Sequence, residues 1–217
     1  VWQQRDQEEE ARDMSEGKVS FWQRYWFAVL AAVLGMLVVG VFGYQYWQKS
    51  QIPVMKQIND FALDNIDGST FTLSGTNGKV RLVEFIFTHC PDICPATTFN
   101  MAKMQEQLKA NGLFKDKVAF VTITFDPERD TPDVLKEYAD KFGADLSGWY
   151  FLRGDQATVE KVTKDFGIAV LKQPDGSFAH TAVMFLVDKD GNMRRVYGMA
   201  SKMDMDSMLK DIELLAD

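Results

Sequence analysis

The sequence predicts an α/β domain, a central mixed sheet flanked by helices, preceded by a single N-terminal transmembrane helix. Three observations carry this. Residues 25 to 44 form a run of 20 without a charge. Further along, short β-branched and aromatic runs alternate with amphipathic stretches, the pattern of strands joined by helical crossovers. Finally, a chain of 217 residues, 46% apolar and 25% charged, suits one globular domain with an appendage.

Residues 1–20 are charged and small, with Glu8, Glu9 and Glu10 in a row and no apolar periodicity. They read as a polar cytoplasmic tail. Residues 21–47 read as the anchor, because a 20-residue helix at about 1.5 Å per residue spans about 30 Å, the depth of a bilayer core. Trp22, Tyr25 and Trp26 flank one end and Tyr44, Tyr46 and Trp47 the other, forming the aromatic belts that settle at headgroup depth. A cleaved signal peptide has a shorter apolar region ending in small residues. Arg5, Arg12, Lys18 and Arg24 precede the span, while only Lys49 and Lys56 follow closely, so the positive-inside rule places the N-terminus in the cytoplasm. Residues 51–217 then lie outside the cytoplasm, on a cell membrane crossed once, where thiols can oxidise.

Within residues 51–217, Phe71 to Leu73 suggests a short hairpin ending at a Thr76-Asn77-Gly78 turn, and Val80 to Phe87 a buried strand. Met101, Met104, Leu108 and Leu113 fall on one helical face. Val118 to Phe125 is a second strand, and Pro132 opens a helix through Leu135 and Tyr138 with Thr131 as N-cap. Trp149 to Leu152, Val159 to Phe166 and Ala182 to Val187 read as strand, helix and strand. Lys172 to Ser177 reads as a polar loop. Asp190-Gly191 turns into Met193 to Tyr197, and Lys202 to Leu215 closes the chain as a helix. This order is thioredoxin-like in outline.

A net charge of −7 and no segregated basic face argue against nucleic acid as a partner. The two cysteines, Cys90 and Cys94, stand four positions apart where a strand hands over to a helix, so they read as a redox-active or metal-binding pair. Helix N-termini stabilise thiolates, which makes both sulfurs better ligands and nucleophiles. Of the two histidines, His180 precedes a strand at the mouth of the sheet, and His89 points away from Cys90 if strand geometry persists. Met199, Met203, Met205 and Met208 could supply thioethers, though methionines at helical spacing also fill cores. Asp126, Glu128 and Asp130 could form a docking or tuning patch, with Asp130 and Thr131 also suited to capping the next helix.

The segments Phe87-Thr88-His89-Cys90-Pro91-Asp92-Ile93-Cys94-Pro95 and Phe125-Asp126-Pro127-Glu128-Arg129-Asp130-Thr131-Pro132, with His180 before Leu186-Val187-Asp188, resemble the Sco/SenC family of copper chaperones. The resemblance runs from about Ile58 to the end. It implies a membrane-tethered, thioredoxin-like protein that helps assemble the CuA centre of cytochrome c oxidase subunit II. It also implies one copper per chain, Cu(I) or Cu(II), on Cys90, Cys94 and His180, with Asp126 as an acidic neighbour that influences binding. Two thiolates and an imidazole form a soft, low-coordinate set suited to copper, with zinc as the alternative metal although a structural zinc site normally takes four ligands. The alternative is a membrane-tethered thiol-disulfide oxidoreductase that keeps partner cysteines reduced. Against it stand three residues between the cysteines where thioredoxins have two.

Overall fold

A computed structural model describes residues 21–50, 52–174 and 177–216, which divide into an N-terminal helix and a domain beginning at Ile52. Helix α1, Phe21–Ser50, runs a turn or more beyond the apolar span at each end. From Tyr25 to Tyr44 every side chain is exposed, and this is the one described helix long and apolar enough to cross a membrane. The expected polar tail, residues 1–20, lies outside the described residues, as do the side chains of Trp22 and Tyr46.

The domain is built on an eight-stranded mixed sheet. Its strands are β1 (Lys56–Gln57), β2 (Ala62–Asn65), β3 (Thr70–Thr72), β4 (Val80–Ile86), β5 (Val118–Thr124), β6 (Trp149–Arg153), β9 (Val183–Val187) and β10 (Asn192–Gly198), and β7 (Val170–Lys172) with β8 (Phe178–His180) forms a separate hairpin. The order across the sheet is β1-β10-β9-β4-β5-β6-β2-β3. Strands β4, β5 and β6 are parallel, and every other neighbouring pair is antiparallel. Parallel neighbours need crossovers. Helix α2 (Ile93–Ala110) supplies one between β4 and β5, and α3 (Pro132–Lys141) supplies the next between β5 and β6. Helix α4 (Gln156–Phe166) follows β6, and α5 (Met205–Ala216) ends the domain.

The central strands are buried along their whole length, as parallel strands covered on both faces must be. Met101, Met104 and Leu108 bury one face of α2 as the periodicity predicts, whereas Leu113 lies beyond the helix end and is half-buried. Truncating a buried leucine such as Leu108 should cost about 2–5 kcal/mol. The Thr131 hydroxyl caps α3 by accepting the Val134 N–H at 3.4 Å. Two expectations change. The Phe71 to Leu73 hairpin is the β2–β3 pair, turning at Asp67-Gly68, where Gly68 adopts a φ of 85° that side-chain-bearing residues resist. The polar loop expected at Lys172 to Ser177 starts inside β7, with its Asp175 and Gly176 outside the described residues, and the β7–β8 hairpin pairs Val170 with His180, which puts the histidine at a strand end.

Candidate metal centre

Beyond Ile86 the chain leaves the sheet and turns, with the Cys90 N–H donating to the Phe87 carbonyl at 3.1 Å. Two residues later Asp92 occupies the N-cap of α2, but its side chain makes no capping bond. Cys90 takes over that task. Its sulfur accepts the Cys94 N–H at 3.4 Å, and the N–H groups of Asp92 and Ile93 also reach it. Helix N-termini leave such donors unpaired and positively polarised, so a sulfur placed there holds negative charge well.

The two cysteines are therefore unequal. The Cys94 thiol donates to the Cys90 sulfur, and this bond, with the three backbone donors, holds Cys90 at about 5, below the ordinary thiol range despite partial burial. Cys94 is fully buried and is pushed up, first because it is the donor in that bond and then by desolvation. The sequence places both sulfurs at a favourable helix start, yet only Cys90 becomes a ready thiolate. The cause is their sharing of one proton and the burial of Cys94 in the first turn, with Cys90 ahead of it. Neither is in a disulfide.

The His180 ring packs against Phe125, with centroids 4.9 Å apart, and edge-on to Phe87 at 6.3 Å. Phe87 and Phe125 follow directly on β4 and β5, so the histidine sits over the same strand ends that launch the cysteine loop. The Nδ1 of His180 lies 3.1 Å from the Thr181 carbonyl. A carbonyl can only accept, so Nδ1 carries the proton and, in the neutral ring, Nε2 keeps the lone pair a metal would use. Among the described residues, no three His, Cys, Asp or Glu side chains are gathered closely enough to hold a metal ion. The structure thus pairs the sulfurs and leaves His180 seated on its aromatic neighbours.

The SCO1/SenC family model matches residues 50–217. The chain belongs to the SCO1/SenC family. Its fold is similar to that of a SCO1/SenC family lipoprotein from Bacillus anthracis, with a TM-score of 0.70 and 33% identity over 75% of this chain and 96% of that one. It is similar to BsSco, a member of the Sco family of cytochrome c oxidase assembly proteins, with a TM-score of 0.67 and 30% identity over 76% and 97% of the two chains. Arabidopsis thaliana ScoI with copper bound aligns with a TM-score of 0.63 and 30% identity, covering 72% of this chain and 98% of that one. Homologues of this Sco-family chain are thus copper-binding proteins of thioredoxin-like fold.

Other candidates separate in this Sco domain. Asp126 is buried, pairs with Arg129, and donates its N–H to the Thr124 hydroxyl at 3.0 Å. Glu128 is exposed and pairs with Lys172 of β7 at 3.1 Å, so it fastens the His180 hairpin from outside. His89 is exposed, but it lies in the turn beyond β4 and not in strand geometry, so the condition for its pointing away from Cys90 is not met. Met199 and Met208 are buried and Met203 and Met205 pack against the core, so all four serve as filling. Asp130 does not cap α3. Its fully buried carboxyl group instead accepts from Thr88 and Thr124.

One group escaped the sequence reading. Glu84, on the central strand β4, is wholly buried, with Oε1 accepting from Thr122 at 2.7 Å and Thr98 at 3.3 Å, while Oε2 has no partner. Desolvation raises it to about 7, and its charge in turn helps to raise Cys94. A glutamate inside the run VRLVEFI was the available signal.

Proposed function

We propose that this chain is a membrane-tethered copper-binding protein of cytochrome c oxidase assembly, which carries copper as cargo on Cys90, Cys94 and His180 and passes it to the CuA centre of subunit II. The observation that supports this reading best is the sulfur pair at the start of α2, in which the Cys90 sulfur accepts the Cys94 N–H at 3.4 Å, an arrangement that holds Cys90 well below the ordinary thiol range. A cation with a taste for soft ligands would replace the proton the two sulfurs share, and His180 would join them through Nε2 by a movement of the β7–β8 hairpin. Residues 1–20 would form the cytoplasmic tail, 21–47 the anchor and 51–217 the copper-binding domain outside the cytoplasm. Tethering would keep the domain at the surface where subunit II sits, raising effective concentration without new contacts.

A second reading is favoured by the inequality of the thiols. A low-pKa sulfur beside a buried protonated one is also the arrangement of a nucleophile and its resolving partner, as in a thiol-disulfide oxidoreductase. Complementation of cells lacking the protein separates the two. Copper delivery predicts low CuA occupancy with subunit II still folded, no rescue by a Cys90→Ser, Cys94→Ser double variant, and partial rescue by added copper. Rescue by an added thiol, with His180→Ala nearly silent, would overturn copper delivery and make thiol reduction the function.

A further inference from the structure

We infer that Asp130 is a positioning residue for the Cys90 sulfur, acting through Thr88. The inference rests on the reading of Cys90 as the working sulfur. It begins with where the sheet stops. The last rung between the parallel strands is the Phe125 N–H to the Ile86 carbonyl, at 3.0 Å. After it the chain from Phe87 to Cys90 has left the ladder, yet it must deliver a sulfur to the N–H of Cys94.

Asp130 replaces the missing ladder. Its carboxyl oxygens accept the Thr88 N–H at 3.1 Å and the Thr88 hydroxyl at 2.5 Å, and also the Thr124 hydroxyl. The Asp130 N–H is itself tied to the Asp126 carbonyl at 3.0 Å, and Thr124 receives the Asp126 N–H. One fully buried side chain thus joins the end of β4, the end of β5 and the loop between β5 and α3. Thr88 precedes Cys90 by two residues, so its placement sets where the sulfur meets the donors of α2. A group with only acceptor atoms is required there. An asparagine of the same shape would turn an NH2 toward a donor or leave a buried donor without a partner.

The test uses the full chain and reads the thiol-disulfide equilibrium with glutathione. In that exchange the two thiols of Cys90 and Cys94 become one disulfide, while glutathione disulfide is reduced to two glutathione thiols. Asp130→Asn should move the constant about tenfold toward the protein disulfide, because the Cys90 sulfur is no longer held against the backbone donors of α2. Thr88→Val should move it the same way, the double variant no further than the larger single effect, and Thr88→Ser, which keeps both donors, should stay within about twofold of the parent. Should Asp130→Asn fail to fold, the Thr88→Val and Thr88→Ser pair decides alone. An unchanged constant in folded Asp130→Asn or Thr88→Val overturns the inference, since a purely structural bond would lower stability and leave the equilibrium in place. Cu(I) retention against a chelator is measured alongside. A shifted constant with no copper bound by the parent chain supports Asp130 and counts against the copper reading.

Discussion

The backbone N–H of Cys94 donates to the sulfur of Cys90 across 3.4 Å, so one cysteine caps the helix that begins around the other. This relationship makes the two thiols chemically distinct although they share one short motif. Cys90, at about 5, is a thiolate through the neutral range, whereas Cys94 stays protonated there. Alkylation of the reduced protein should therefore modify Cys90 with a midpoint near pH 5 and leave Cys94 unmodified at pH 7. Mass mapping after brief iodoacetamide treatment checks both. A midpoint near 9, the ordinary thiol value, would mean that the cap does not hold the charge.

His180 stands apart from the sulfur pair, against Phe125 and Phe87, which implies a division of labour in metal binding. Two thiolates alone can hold Cu(I) in linear geometry, while Cu(II) favours additional nitrogen ligands. His180→Ala should weaken Cu(II) binding at least tenfold and Cu(I) binding far less. Competition titrations in each oxidation state read the two constants. Undiminished Cu(II) affinity would remove this histidine from the ligand set.

Strands β4, β5 and β6 and helices α2 and α3 were legible because each writes its signal locally. Val118 to Thr124 is β-branched and aromatic, Met101, Met104 and Leu108 keep helical spacing, and Thr131-Pro132 marks a helix start. The β7–β8 hairpin was hidden because its strands are three residues each, outside the main sheet, with Leu171 and Lys172 exposed. Asp130 misled for a related reason. Beside Thr131-Pro132 it looks like a cap, and its actual partner Thr88 lies 42 residues away. The inequality of the cysteines was equally out of reach, since it depends on which sulfur is covered by the core and on a proton that only one of them can hold.

Helix α1 is exposed from Tyr25 to Tyr44, and the proposed anchor takes its orientation from the Lys and Arg count around it, which favours a cytoplasmic N-terminus. Protease added to intact cells or right-side-out vesicles should then digest residues 51–217 and spare the tail. Protection of the domain with loss of the tail would reverse the orientation.

Glu84 forecasts a pH dependence of stability whose sign differs from that of a salt-bridged carboxylate. Burial raises it from 4.5 to about 7, with the Thr122 and Thr98 hydroxyls opposing the shift. Between these values the folded chain binds more protons than the unfolded one, so this group's contribution is greatest below pH 4.5 and is lost as pH rises through 7. At about 1.36 kcal/mol per unit, the loss amounts to about 3 to 4 kcal/mol at most. Glutamine at this position cannot ionise and keeps an acceptor for Thr122, so Glu84→Gln should flatten that slope and be the more stable form at pH 8. It should also ease deprotonation of Cys94, because the negative charge of Glu84 is one of the causes that push this thiol up. Urea unfolding of parent and variant, followed by proteolytic susceptibility at pH 5 and pH 8, measures the first effect, and the alkylation profile of Cys94 measures the second. Parallel pH slopes in the two proteins would show that Glu84 is ionised throughout, and its unpartnered oxygen would then need another explanation.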